Sequence, residues 1–212
     1  IDLGSGDVAE LGPPGMSVWE FDGDPDDVVV ALVSEDPSTA GWYRSVVGRL
    51  DLAERTAETL YRPIWSLEGL ALSPDGRRAA VVEGYSSDPG LLSGSVMIVD
   101  LADGTTTDPW PGLQTVGSVE WIDDESLWYA RCDGTGTACG RITLDGDVDE
   151  RWRGDAFIGD DAANESARRP RGTVRGLLLM NASPVLASGV LTGYVAAASA
   201  AEKPTVNEPP AR

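Results

Sequence analysis

The segment DGDPDD, residues 22–27, carries carboxylates at alternate positions, as the start of a calcium-binding loop does. A complete loop of that type needs a glycine at its sixth position and a glutamate at its twelfth. This sequence has Asp27 and Val33 there instead. Residues 145–149, DGDVD, match the pattern less well. We therefore interpret both segments as solvated hairpin turns, not as metal sites.

Two cysteines, Cys132 and Cys139, flank a glycine-rich turn and are spaced to face each other across a hairpin. A disulfide between them would form in an oxidising compartment, and two reduced thiols are the alternative. Two sulfur ligands without a histidine are too few for a zinc site. We expect no metal and no cofactor.

The 212-residue chain contains no histidine, which excludes Ser-His-Asp and Cys-His catalytic groups within it. The GxSxG turn of α/β-hydrolases and the GxxxxGK phosphate-binding loop are also missing. We expect no catalytic residues, and no enzymatic activity from this chain alone.

The charge balance is strongly acidic, with 35 Asp and Glu against 16 Lys and Arg, for a net charge of -19. Such a surface repels nucleic acid and anionic membranes, so neither is expected as a partner. We interpret the acidity as a means of solvation. An acidic site for a cationic partner is the alternative.

A repeat organises the chain. The phrases IDL, LDL and VDL begin at residues 1, 50 and 99, a constant spacing of 49. Between them lie hairpin-like segments with apolar alternation around turns such as SPDG, residues 73–76. Four antiparallel strands in each 40 to 50 residues are typical of a β-propeller blade.

The fold class predicted from this repeat is all-β. It is a partial β-propeller with three complete four-stranded blades at 17–61, 67–110 and 116–153, and partial blades at both ends. Residues 1–11 are then the outer strand of a preceding blade. Because the chain begins inside a repeat, we expect either a fragment or a ring that its N-terminal strand closes.

The pattern decays after residue 155. Residues 156–175 are predicted to be an arginine-containing polar linker, and residues 202–212 a disordered tail. The uncharged segment 176–201 is long enough for a membrane helix. We favour the first strands of a partial fourth blade there, with a membrane helix or a non-native tail as alternatives.

Four segments carry a family resemblance: the SPDG turn, the loop VEGYSSDPGLLSG (82–94), the turn DLADG (100–104) and the hairpin WIDDESLWYA (121–130). Over residues 17–155 the chain resembles the propeller domain of prolyl oligopeptidase-type serine peptidases, most of all their bacterial acylaminoacyl-peptidase branch. TolB-like and WD40-like propellers are looser relatives. In the peptidase family the propeller caps a separate α/β-hydrolase domain and admits only short peptides.

The resemblance implies a non-catalytic part that gates peptides for a hydrolase domain absent from this chain, whether that domain is fused to it or separate. The alternative is a stand-alone propeller that binds another protein. The residues predicted to face a cavity are Glu83, Tyr85, Ser86 and Asp88. A cytoplasmic location is favoured, and an extracytoplasmic one is left open.

Overall fold

The computed structural model describes residues 12–155 and the backbone of residues 157–159 and 178–180. Three four-stranded antiparallel sheets follow one another along the chain, and in each the strands lie side by side in chain order. This arrangement confirms the predicted all-β fold and the three complete blades of a partial propeller.

The first blade contains β1 (Ser17–Gly23), β2 (Val29–Ser34), β3 (Val46–Asp51) and β4 (Thr56–Tyr61), with one helical turn, α1 (Thr39–Trp42), between β2 and β3. The second contains β5 (Ser66–Leu72), β6 (Arg78–Gly84), β7 (Ser95–Asp100) and β8 (Thr106–Thr107). The third contains β9 (Val116–Asp123), β10 (Ser126–Asp133), β11 (Gly136–Thr143) and β12 (Val148–Gly154).

A further short pair, β13 (Phe157–Gly159) and β14 (Leu178–Met180), is antiparallel. Apart from the backbone of these two strands, the predictions for 1–11, 156–175, 176–201 and 202–212 lie outside the described residues. Within the described part of the chain, no helix is long and apolar enough to cross a membrane.

The blades stack face to face, which explains why their middle strands are apolar on both sides. Val30 and Leu32 of β2 share one buried cluster with Val81 of β6. The next residue along β6, Val82, belongs to a second cluster with Leu127 of the third blade. Because successive residues of a strand point to opposite faces, β6 must be apolar at consecutive positions to fill both interfaces.

Carboxylates of the first blade also bind backbone amides of the second. A bulge in β5 between Glu68 and Ala71 takes Gly69 and Leu70 out of the regular ladder. The Glu20 carboxylate accepts hydrogen bonds from both of their N–H groups, at 3.3 Å for Gly69 and 2.9 Å for Leu70. These contacts join residues 49 and 50 positions apart, which is the length of the repeat.

We predict that Glu20→Ala lowers the free energy of unfolding by about 2–3 kcal/mol, because it leaves two amides of a half-buried strand without their charged acceptor. Glu20→Gln keeps an acceptor oxygen and should cost less. Glu35→Ala, at an exposed position in the β2–β3 loop, is the control. Urea denaturation measures all three, and equal stability of Glu20→Ala and Glu35→Ala would contradict the assigned role.

Candidate functional site

Each blade has two chemically different ends, because antiparallel strands in chain order send alternate connections to opposite ends of the sheet. The turn end carries the hairpin turns after β1, β3, β5, β7, β9 and β11. The loop end carries the β2–β3 and β6–β7 loops and the blade-to-blade connections 62–65 and 108–115. Contacts agree with this division: the Tyr43 hydroxyl of the β2–β3 loop donates to the Ser87 carbonyl of the β6–β7 loop.

Carboxylates at the turn end are used by the turns themselves. Asp103 accepts from the N–H of Thr105 at 2.8 Å, which is the Asx-turn arrangement. The same two-residue pattern joins Asp24 to Asp26, Asp75 to Arg77, Asp100 to Ala102 and Asp123 to Glu125. Within the described residues, no group of carboxylates is arranged to hold a metal ion. Part of the negative charge of the chain therefore comes from carboxylates that stabilise turns.

Hydrogen bonding lowers the pKa of several of these carboxyls below the ordinary value of 3.8. The main causes are the Thr105 N–H for Asp103 and the Ser126 hydroxyl for Asp123. A carboxyl whose pKa is depressed by folding contributes stability above its unfolded-state pKa. That contribution is lost as the pH falls through the folded-state pKa.

We therefore predict that the Asp103→Asn/Asp123→Asn variant loses less stability than the wild type when the pH is lowered from about 5 to about 2.5. Asparagine still accepts the turn hydrogen bonds but does not titrate in this range. Urea midpoints at both pH values make the measurement, with Glu35→Gln as the control. A decline as steep as that of the wild type would overturn the prediction.

Glu83, the first predicted cavity residue, holds a connection between blades. Its carboxylate accepts hydrogen bonds from the Tyr61 hydroxyl and from the backbone N–H groups of Ile64 at 2.8 Å and Trp65 at 2.9 Å. Burial, together with the hydrogen bond to Glu83, raises the pKa of Tyr61 well above its usual range. The contacts of Glu83 therefore fix the 62–65 connection in place at the loop end.

The other three predicted residues lie in the β6–β7 loop. The Tyr85 side chain is exposed and meets Trp65 edge to face, with ring centroids 5.8 Å apart. Ser86 is buried, and its hydroxyl donates to the Asp88 carbonyl at 2.9 Å. The Asp88 carboxylate accepts from the Ser87 hydroxyl at 2.9 Å. The structure thus brings Glu83 and Tyr85 together through Trp65, while Ser86 and Asp88 shape the loop. Contact of these four with a ligand stays a prediction.

Among the large apolar side chains at the loop end, four are more than half exposed, at 86% for Ile64, 54% for Trp65, 79% for Tyr85 and 72% for Leu91. We call them the apolar patch. Glu68 anchors the loop that carries two of them, because its carboxylate accepts from the N–H of Gly90 at 2.5 Å and of Leu92 at 3.1 Å. Sequence reasoning singled out Tyr85 but missed the others. The sequence did contain a signal for these exposed residues: two adjacent large apolar residues stand in a connection at 64–65, and two more stand in a Gly/Ser-rich loop at 91–92.

The suggested disulfide is not formed, and both cysteines are free thiols. The reason is the register of the β10–β11 hairpin, in which Cys132 lies opposite Thr137 and Cys139 opposite Ala130. The two cysteines are therefore diagonal, farther apart than the roughly 4 Å between β-carbons that a disulfide needs. Burial raises the pKa of the Cys139 thiol.

Glu83 gives the clearest test of how the loop end is held. We predict that Glu83→Ala costs about 2–3 kcal/mol of unfolding free energy and increases hydrogen exchange at the amides of Ile64 and Trp65, because three donors lose their acceptor. Glu83→Gln keeps one acceptor oxygen for the two backbone donors, so it should protect those amides far better. Equal exchange in the two variants would show that the carboxylate does not hold the connection.

No protein-family model matches the sequence, and no curated protein matches it. Solved structures similar to the chain include TolB from Acinetobacter baumannii, at 15% identity and a TM-score of 0.48 over 78% of this chain and 41% of that one. Puromycin hydrolase is similar at 16% identity and a TM-score of 0.41, over 64% of this chain and 21% of that one. Oligogalacturonate lyase in complex with manganese is similar at 17% identity and a TM-score of 0.43, over 59% and 37%. The chain spans less than half of each of these proteins, so their activities are not ascribed to it.

Proposed function

We propose that this chain is the non-catalytic propeller of a prolyl oligopeptidase-type serine peptidase and gates peptides for a hydrolase domain. The observation that carries the proposal is the apolar patch at the loop end, with Trp65 and Tyr85 stacked edge to face and exposed. Exposed apolar side chains that cluster on one surface mark interaction sites, and tryptophan and tyrosine are enriched in them. The family resemblance of residues 17–155 supports a hydrolase domain as the partner.

The backbone that carries the apolar patch is already ordered by hydrogen bonds. Glu83 fixes the backbone beneath Ile64 and Trp65, and Glu68 fixes the loop around Leu91. Side chains on a backbone that is already ordered lose less conformational freedom on binding, which favours affinity. A surface prepared in this way suits a lasting contact with another protein domain.

The alternative is a stand-alone TolB-like or WD40-like propeller that binds another protein. The same patch supports it, since exposed apolar side chains mark a protein-interaction surface whether or not the partner is a hydrolase. The two proposals differ in the identity of the partner, and so the partner must be tested for serine hydrolase chemistry.

The decisive experiment isolates the native protein from its source cells with an antibody against this chain, after labelling with a fluorophosphonate probe for active serine hydrolases. We expect a labelled species in the precipitate, on the same polypeptide or bound to it, that cleaves short peptides but not folded proteins. A precipitate without labelled species would overturn the peptidase proposal and leave the protein-binding module.

The role of the patch is tested separately in the same precipitation. We predict that Trp65→Ala with Tyr85→Ala weakens partner or interdomain association by about 30-fold or more, as the loss of a central aromatic contact does. Trp152→Ala, which removes an exposed tryptophan from β12, is the matched control and should have no effect. Unchanged association in the double variant would exclude the patch as the contact surface.

A further inference from the structure

A cleft of about 260 Å³ lies in the third blade, away from the apolar patch. One wall is the connection that leads into β9, with Leu113 and Thr115. The other wall is the face of the sheet, with Tyr129 and Arg131 of β10. Val148 and Glu150 of the outer strand β12 complete the lining. The cleft is large enough for a small organic molecule of about the size of an amino acid.

A glycine in the middle strand opens this cleft. In the register of the sheet, Gly140 of β11 lies opposite Tyr129 on one side and opposite Glu150 on the other. Since Gly140 has no side chain, the long side chains of β10 and β12 meet above it. Arg131 Nη2 is 3.4 Å from Glu150 Oε2 as a result.

The Tyr129 hydroxyl is an unusual group in this setting. The Tyr129 side chain is only 1% exposed, and its hydroxyl has no hydrogen-bond partner among the described residues. Burial, together with the negative charge of Glu150, raises the pKa of Tyr129, and the nearby Arg131 guanidinium only partly offsets this rise. Arginine has only donors, so the hydroxyl proton lacks an acceptor whatever the position of the guanidinium. Buried donors without an acceptor are rare and require an explanation such as a water or a ligand.

Arg131 is only loosely held by its acidic neighbours. It lies 3.4 Å from Glu150 and 3.6 Å from Asp133. Both carboxylates are bound more closely by Arg153, which contacts Glu150 at 2.7 and 2.9 Å and also pairs with Asp133. Arg153 therefore makes the closer contacts with both acids, and the more weakly held Arg131 guanidinium can donate to an anion in the cleft.

The wall opposite Arg131 is held in a strained conformation. Thr115 has a φ of 61°, a left-handed backbone that β-branched residues rarely adopt. Its hydroxyl donates to the Cys132 carbonyl at 2.7 Å, and the Cys132 N–H donates back to the Thr115 carbonyl at 2.9 Å. Strain that the surroundings enforce in this way is concentrated at binding sites.

We propose that this cleft binds a small carboxylate that carries an apolar substituent, such as an N-acylated amino acid. The Tyr129 hydroxyl and the Arg131 guanidinium donate to the carboxylate, and Leu113 and Val148 contact the substituent. A cation is disfavoured because it offers no acceptor to the Tyr129 and Arg131 donors, and a carboxylate is a stronger acceptor for both than a neutral amide is. The inference does not rest on the proposed peptidase role, because it uses none of the residues of the apolar patch.

The test is isothermal titration of the full chain with N-acetyl-leucine and, as the matched ligand, N-acetyl-leucinamide. We expect saturable binding of the acid at one site and binding of the amide that is at least about tenfold weaker, as for the loss of a charge-assisted hydrogen bond. Equal binding of the two ligands would overturn the proposal. So would no binding of the acid up to its solubility limit, which would mean that water alone satisfies Tyr129.

Two variants locate the binding. Tyr129→Phe should weaken binding of the acid about tenfold without lowering thermal stability, because the hydroxyl that it removes has no acceptor in the part of the chain that the structure describes. Arg131→Gln should remove the preference for the acid over the amide. Tyr43→Phe and Arg77→Gln, which lie in other blades, are the matched controls and should leave binding unchanged. Wild-type affinity in both Tyr129→Phe and Arg131→Gln would place the ligand elsewhere.

Discussion

The structure depends on one requirement: each blade must bury the apolar face of its neighbour and accept the hydrogen bonds of that neighbour's unpaired backbone amides. The second blade illustrates it, because its middle strand β6 buries Val81 against the first blade and Val82 against the third. Its first strand β5 has a bulge, and the Glu20 carboxylate of the first blade accepts hydrogen bonds from the backbone amides of that bulge. The third blade extends the same relation, since the Trp121 indole N–H donates to the Ala71 carbonyl at 3.0 Å, again 50 residues apart. A repeat of this length is therefore the sequence counterpart of a contact between blades.

This dependence explains how much of the fold was predictable. Strand content and blade number follow from the repeat, because the same hairpins must recur wherever the same interfaces are built. Register does not follow from it. The sequence spaced the two cysteines to face each other across a glycine-rich turn, but Gly134, with a φ of 60°, allows a turn of only two residues. That turn brings Cys132 opposite Thr137 instead.

The candidate sites were harder to predict, because their chemistry depends on which groups already have partners. Glu83 was predicted to face a cavity, and in the structure its carboxylate accepts hydrogen bonds from Tyr61, Ile64 and Trp65. Tyr129 reads in the sequence as an ordinary core aromatic within an apolar strand. Only the structure shows that its hydroxyl is buried without a partner in residues 12–155. Neither fact can be obtained from residue type or spacing.

The two ends of the blades use their acidic side chains in different ways. At the turn end the chain reverses within a few residues, so short acidic side chains can reach the backbone amides of the turn. Asp103, for example, accepts a hydrogen bond from the Thr105 N–H. At the loop end the chain must travel from one blade to the next, and no ladder of hydrogen bonds supports it there. Single buried or half-buried carboxylates replace that ladder, and the side chains beside them remain exposed. The apolar patch beside the 62–65 connection arises in this way, whereas Gly140 opens the cleft beneath the 108–115 connection. In this propeller arc, both features lie where the backbone leaves one sheet for the next.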